Sequence, residues 1–204
     1  LKTQHAYIQA VFANLVKHID AENRCALDGF LDWPSQSNRK AVAAGMQALM
    51  LTAFEDGARI ALALDDAELE AQCRAGAARL RQYTPAPQGS KQAAALLALS
   101  GLADAKAMHD QVLAKNGVQG VSTFYGYYML EAMAQAGDVQ RGIDTVRDYW
   151  GGMLDMGATS FWEDFDIEWT HNAFRIDELP VPGKKDIHGD FGDYCYKGFR
   201  HSLC

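Results

Sequence analysis

Between Gly157 and Trp169 the chain sets four carboxylates, Glu163, Asp164, Asp166 and Glu168, among four aromatics, Phe161, Trp162, Phe165 and Trp169. Flat rings pack against the C–H faces of sugars and carboxylates accept hydrogen bonds from sugar hydroxyls, so this interleaving suits a carbohydrate surface. Paired carboxylates are also the machinery of glycoside hydrolysis, one as general acid and the other as base or nucleophile. Phe30-Leu31-Asp32-Trp33-Pro34 repeats the mixture on a smaller scale, and Ser122-Thr123-Phe124-Tyr125-Gly126-Tyr127-Tyr128 adds a third aromatic group. A plainer reading fits the same composition: rings that seal the end of a helical domain, beside solvated acids. Trp33 then belongs to the core, and Tyr125, Tyr127 and Tyr128 pack between helices.

Other chemistries lack their residues. The six histidines, His5, His18, His109, His171, His188 and His201, form no i, i+4 pair and no HExxH, and Cys25, Cys73, Cys195 and Cys204 show no CxxC. No metal site and no cofactor is therefore expected, and the cysteines read as small buried hydrophobes. The glycines make neither GxGxxG after a strand nor a GxSxG elbow. With 26 acidic against 19 basic residues, a net charge of -7 and no basic cluster, a nucleic-acid partner is not expected. The longest apolar region, Ala41 to Leu64, is interrupted by Gln47, Glu55, Asp56 and Arg59, so no membrane span is expected.

The elements that must position these residues are helices. Ala6, Ile8, Val11, Phe12, Leu15, Val16 and Ile19 recur at helical spacing, which predicts a first helix ending near His18. Ser35 to Asn38 offers N-cap chemistry for a long Ala-rich helix to about Leu64, and Asp65 and Asp66 precede a third over Ala67 to Tyr83, stopped by Pro85 and Pro87. Four more are predicted over Lys91 to Leu99, Asp104 to Lys115, Ser122 to Ala136 and Gln140 to Met156. Gly101, Gly117, Gly120 and Gly137 are placed to end the intervening turns. Asp166 to Asp190, with Pro180, Pro182 and Gly183, reads as a rim loop. The expected class is all-α. A repeat array that binds a glycan or protein is the alternative, but no 34-residue period emerges. Varied helix lengths and aromatic, acidic helix starts favour an (α/α) toroid with a pocket at one rim.

Met156-Gly157-Ala158-Thr159-Ser160-Phe161-Trp162-Glu163, Phe30-Leu31-Asp32-Trp33 and the closing run Gly192 to Cys204 resemble the catalytic domain of bacterial α-L-rhamnosidases. The likeness spans Phe30 to Cys204. It implies a six-hairpin (α/α)6 barrel, present in part, that cleaves terminal α-L-rhamnose with inversion. It implies Glu163 as the general base, Trp162 beside the sugar, Asp32 and Trp33 in a rhamnose-contacting segment, and His201 as a looser match to a sugar-touching histidine. The Arg-, Asp- and Glu-rich acid motif of that family has no counterpart here. The resemblance therefore places the general acid outside this chain, and implies little activity for the chain alone, the rest of a catalytic domain as its partner and a tendency to self-associate. A periplasmic or a cytoplasmic setting is equally compatible with it.

Overall fold

In the computed structural model, which describes residues 2–163 and 165–186, the described residues are all-α apart from a two-residue parallel pairing and isolated bridges such as Ile19 with Cys25. Helix α1 spans His5–Leu15 and runs into a 3-10 turn, Val16–His18, close to the expected end. Helix α2, Arg39–Ala63, begins where the Asn38 side chain accepts the Ala41 amide at 3.1 Å. Helix α3, Ala67–Leu80, starts the same way on Asp66, which accepts from Leu69 at 3.0 Å. Each cap satisfies an amide that the first helical turn leaves without a partner.

Helix α3 stops three residues short of the expected Tyr83. The buried Gln47 amide from α2 donates to the carbonyls of Leu80 at 2.9 Å and Tyr83 at 3.3 Å, taking the final turn out of helical geometry. Helix α4, Lys91–Leu99, has the expected bounds, with Ser90 accepting from Ala93 at 3.1 Å. The helices expected over Asp104 to Lys115 and Gln140 to Met156 form with interruptions. Helix α5, Ala105–Met108, widens into a π turn at His109–Leu113. Helix α7, Val139–Thr145, passes through a second π turn, Val146–Trp150, into α8, Gly151–Asp155. The second π turn buries Tyr149, whose hydroxyl donates to the Phe165 carbonyl at 2.8 Å. Between them α6 covers Gly126–Gln135, starting later than Ser122 because Ser122 and Thr123 spend their side chains on neighbouring segments. The four glycines expected at helix ends, Gly101, Gly117, Gly120 and Gly137, all adopt positive φ.

Two apolar clusters hold these helices together. One joins Phe12 of α1, Phe54 and Ala61 of α2 and Leu69, Cys73 and Leu80 of α3; the other joins the first half of α2 to α4, α6, Tyr149, Met153 and Phe165. Small residues set the spacing: a methyl group at Gly57 would fall 2.3 Å from the Phe12 ring, and one at Gly76 2.7 Å from Phe54. After α8 a 3-10 turn, Ile167–Thr170, leads to β1, Ala173–Phe174, which pairs in parallel with β2, Lys185–Asp186. The expected rim loop thus carries local structure as far as Asp186; its last residues, 187–190, lie outside the described ones. No helix among the described residues is long and apolar enough to cross a membrane.

Candidate functional site

The segments that precede α2, α4 and α6 meet at one end of the helices, joined by short polar side chains. The Ser35 hydroxyl lies 2.7 Å from that of Ser90 and donates to the Gln92 side-chain carbonyl at 2.6 Å. The Gln92 amide donates onward to the Gly120 carbonyl at 3.0 Å and the Ser122 hydroxyl at 3.1 Å. Next in line, Thr123 donates to the Trp162 carbonyl at 2.5 Å, which brings in the segment after α8. Three of the linking side chains, Ser35, Gln92 and Ser122, are at most 2% exposed. Buried polar groups are tolerated when each is bonded, and such a chain fixes its loops relative to one another.

On this frame Asp32 is 6% exposed and extended, with Oδ1 accepting the Trp33 amide at 2.8 Å and Oδ2 buried. Burial raises its pKa above the ordinary aspartate value and the charge of Glu163 adds to the rise. The Ser122 hydroxyl and the amides of Trp33 and Tyr125 oppose it. The Tyr125 phenol is pushed up to about 12, first by burial and then by the charges of Asp32 and Tyr128. Asp32, Tyr125 and Glu163 therefore share one electrostatic neighbourhood, although they come from three separate segments. Trp33 stacks edge-on against Phe30 with ring centroids 4.8 Å apart, and Trp162 against the buried Phe165 at 5.5 Å. Both indoles are half-buried, as is Glu163.

Of the residues expected from the sequence, Asp32, Trp33, Trp162 and Glu163 belong to this rim, and His201 lies outside the described residues. The acidic cluster separates by role. Asp166 caps the following 3-10 turn by accepting the Glu168 amide at 3.0 Å, and the exposed Glu168 sits 3.6 Å from His171. Asp164 is not among the described residues. Of the three described, Glu163 is the one whose charge raises the pKa of the buried Asp32. Sequence reasoning missed Ser35, Gln92 and Ser122, whose partners lie on other hairpins; the only hint was their position at helix starts.

Beside the rim an open apolar groove of about 870 Å³ runs between α6 and the π turn before α8, lined by Thr123, Phe124, Tyr127, Trp150 and Phe161 among others. Among the described residues no group of three or more His, Cys, Asp or Glu gathers as a metal site would. No family model and no curated protein matches this chain.

Proposed function

We propose that this rim is the sugar site of an inverting glycosidase acting on terminal α-L-rhamnose, with Glu163 as the base that activates water. The observation that carries the reading is the chain of hydrogen bonds through Ser35, Gln92, Ser122 and Thr123, which brings the segment of Asp32 and Trp33 and the segment of Trp162 and Glu163 to one end of the helices, where the charge of Glu163 is felt at Asp32. Glu163 is half-buried, open enough to meet water yet held beside an indole that can cover a sugar face. Asp32 retains its proton to higher pH than a solvated aspartate, which suits a carboxyl that orients Trp33 and engages a sugar hydroxyl. The resemblance to α-L-rhamnosidases names the sugar and the stereochemistry. On this reading α2, α4 and α6 are inner helices of a six-hairpin (α/α)6 barrel, their N-terminal ends facing the substrate.

Inversion needs a base beneath the anomeric carbon and an acid at the leaving oxygen. An aryl leaving group as stable as dinitrophenolate departs without protonation, so a dinitrophenyl α-L-rhamnoside tests the base whatever group serves as acid. The expected first product is β-L-rhamnose, identified by NMR before mutarotation. Glu163→Gln keeps the shape and removes the basicity, so it should lower kcat by about 10²-fold to 10⁴-fold with KM nearly unchanged. Azide, which needs no deprotonation, should restore part of the turnover as the β-azide. Asp166→Asn and Glu168→Gln should change turnover little. Wild-type turnover in Glu163→Gln, or α-L-rhamnose as first product, would overturn the assignment; rhamnose binding with no turnover by the wild type would leave a glycan-binding module in its place.

A further inference from the structure

A second cleft, of about 350 Å³, opens beside the rim between the starts of α2 and α4 and the segment from Gln111 to Gly120. Its lining includes Lys91 and Lys115 with the side-chain amides of Asn38, Gln111, Asn116 and Gln119, and no aspartate or glutamate lines it. That is unexpected in a chain with 26 acidic and 19 basic residues. Lys91 is 5% exposed, and its ammonium donates to the Gly117 carbonyl, a neutral acceptor. Among the described residues it makes no ion pair. The other charge acting on it is the like charge of Arg141, which together with the larger effect of burial brings its pKa down to about 8. A buried cation with no anion is costly, and the cost falls when a carboxylate arrives.

The cleft is built rather than incidental. Ser35, Ser90 and Gln92 in its wall are buried and mutually hydrogen-bonded, so little rearrangement stands between the free and occupied forms. Its volume lies in the range of small-ligand pockets and exceeds what an inorganic ion fills. Side-chain amides, each both donor and acceptor, match sugar hydroxyls. Pro34 and Ser35 of the lining directly follow Trp33, and Gln92 reaches Ser122, the hydroxyl that acts on Asp32. The two sites share a wall.

We propose that this cleft binds the carboxylate of an acidic sugar through Lys91 and Lys115, as a second subsite next to Asp32 and Glu163. The proposal rests on the carbohydrate reading of the rim and adds a substrate class to it: a glycan in which a uronic acid adjoins the terminal neutral sugar.

The test is an NMR titration of the whole chain with D-glucuronate, D-glucose and inorganic sulfate, read at the amides of Gly117 and Gly120. Glucuronate should shift both saturably, and glucose and sulfate should bind at least about tenfold more weakly, a difference of about 1.4 kcal/mol. Lys91→Met, which removes a buried charge at similar length, should weaken glucuronate at least tenfold. Lys115→Gln, on an exposed position that folding does not need, should weaken it about threefold. Equal binding of glucose would overturn the anion site, and sulfate as tight as glucuronate would overturn the sugar assignment. Undiminished glucuronate binding by both variants would overturn the lysines' role. L-rhamnose, read separately at the indole N–H signals of Trp33 and Trp162, keeps failure of the rim distinct from failure of the cleft.

Discussion

On the proposed reading Asp32 carries a conflict between folding and function, because its carboxyl is buried where the charge of Glu163 also acts on it. Its pKa is raised on folding, so between the unfolded and folded values the native state binds more protons, and stability falls as pH rises through that window. Asp32→Asn retains an acceptor for the Trp33 amide and removes the charge. The variant should therefore melt higher than wild type at pH 7 and equally at pH 3, while rhamnose binding weakens; thermal scans at the two pH values decide it. Asp32, Trp33, Trp162 and Glu163 stood out in the sequence because aromatic and acidic side chains interleave in two short segments, one before α2 and one after α8. Gln47 did not. It looked like a mere break in an apolar run, yet it is 1% exposed, accepts the Cys25 amide at 2.7 Å and donates to Asn23, Leu80 and Tyr83 carbonyls. Gln47→Leu strands those groups without partners and should cost about 2–4 kcal/mol in denaturant unfolding.

Helix starts were more legible than helix ends, for a physical reason. Asn38, Asp66, Ser90, Asp104 and Asp138 each accept an amide of the helix they precede, a local bond visible in local sequence. The early stop of α3 depends on Gln47, which no window around Tyr83 contains, and the delayed start of α6 depends on Gln92 and Trp162. The π turns at His109–Leu113 and Val146–Trp150 kept apolar spacing close enough to helical that sequence read through them. Close approach between elements is set by glycines. Alanine at Gly57 gains helix propensity of about 1 kcal/mol, but its methyl would stand 2.3 Å from the Phe12 ring in a filled core. Overpacking of that kind costs about 1–3 kcal/mol, so Gly57→Ala should be destabilised on balance, and Phe12→Leu in the same chain should return part of the loss.

For the molecule as a whole, the all-α class followed from helical spacing throughout the first three quarters of the chain, and the meeting of helix starts followed from where the aromatics and acids fall. What sequence spacing does not carry is the polar chain Ser35, Ser90, Gln92, Ser122 that ties those starts into one rim, since the bonds from Ser35 to Ser90 and Gln92 and from Gln92 to Ser122 join segments far apart in the chain. It also hid the cleft around Lys91, because a lysine at the first position of a helix ordinarily faces water. The central claim is that Trp33 and Trp162 border one sugar site, with Asp32 and Glu163 beneath it. An NMR titration with L-rhamnose resolves it, because the chain has four tryptophans and only two belong to the rim. The indole N–H signals of Trp33 and Trp162 should move together along one saturation curve, with those of Trp150 and Trp169 nearly still. No saturable shift at either rim indole, or a shift confined to Trp150 in the apolar groove, would contradict the account.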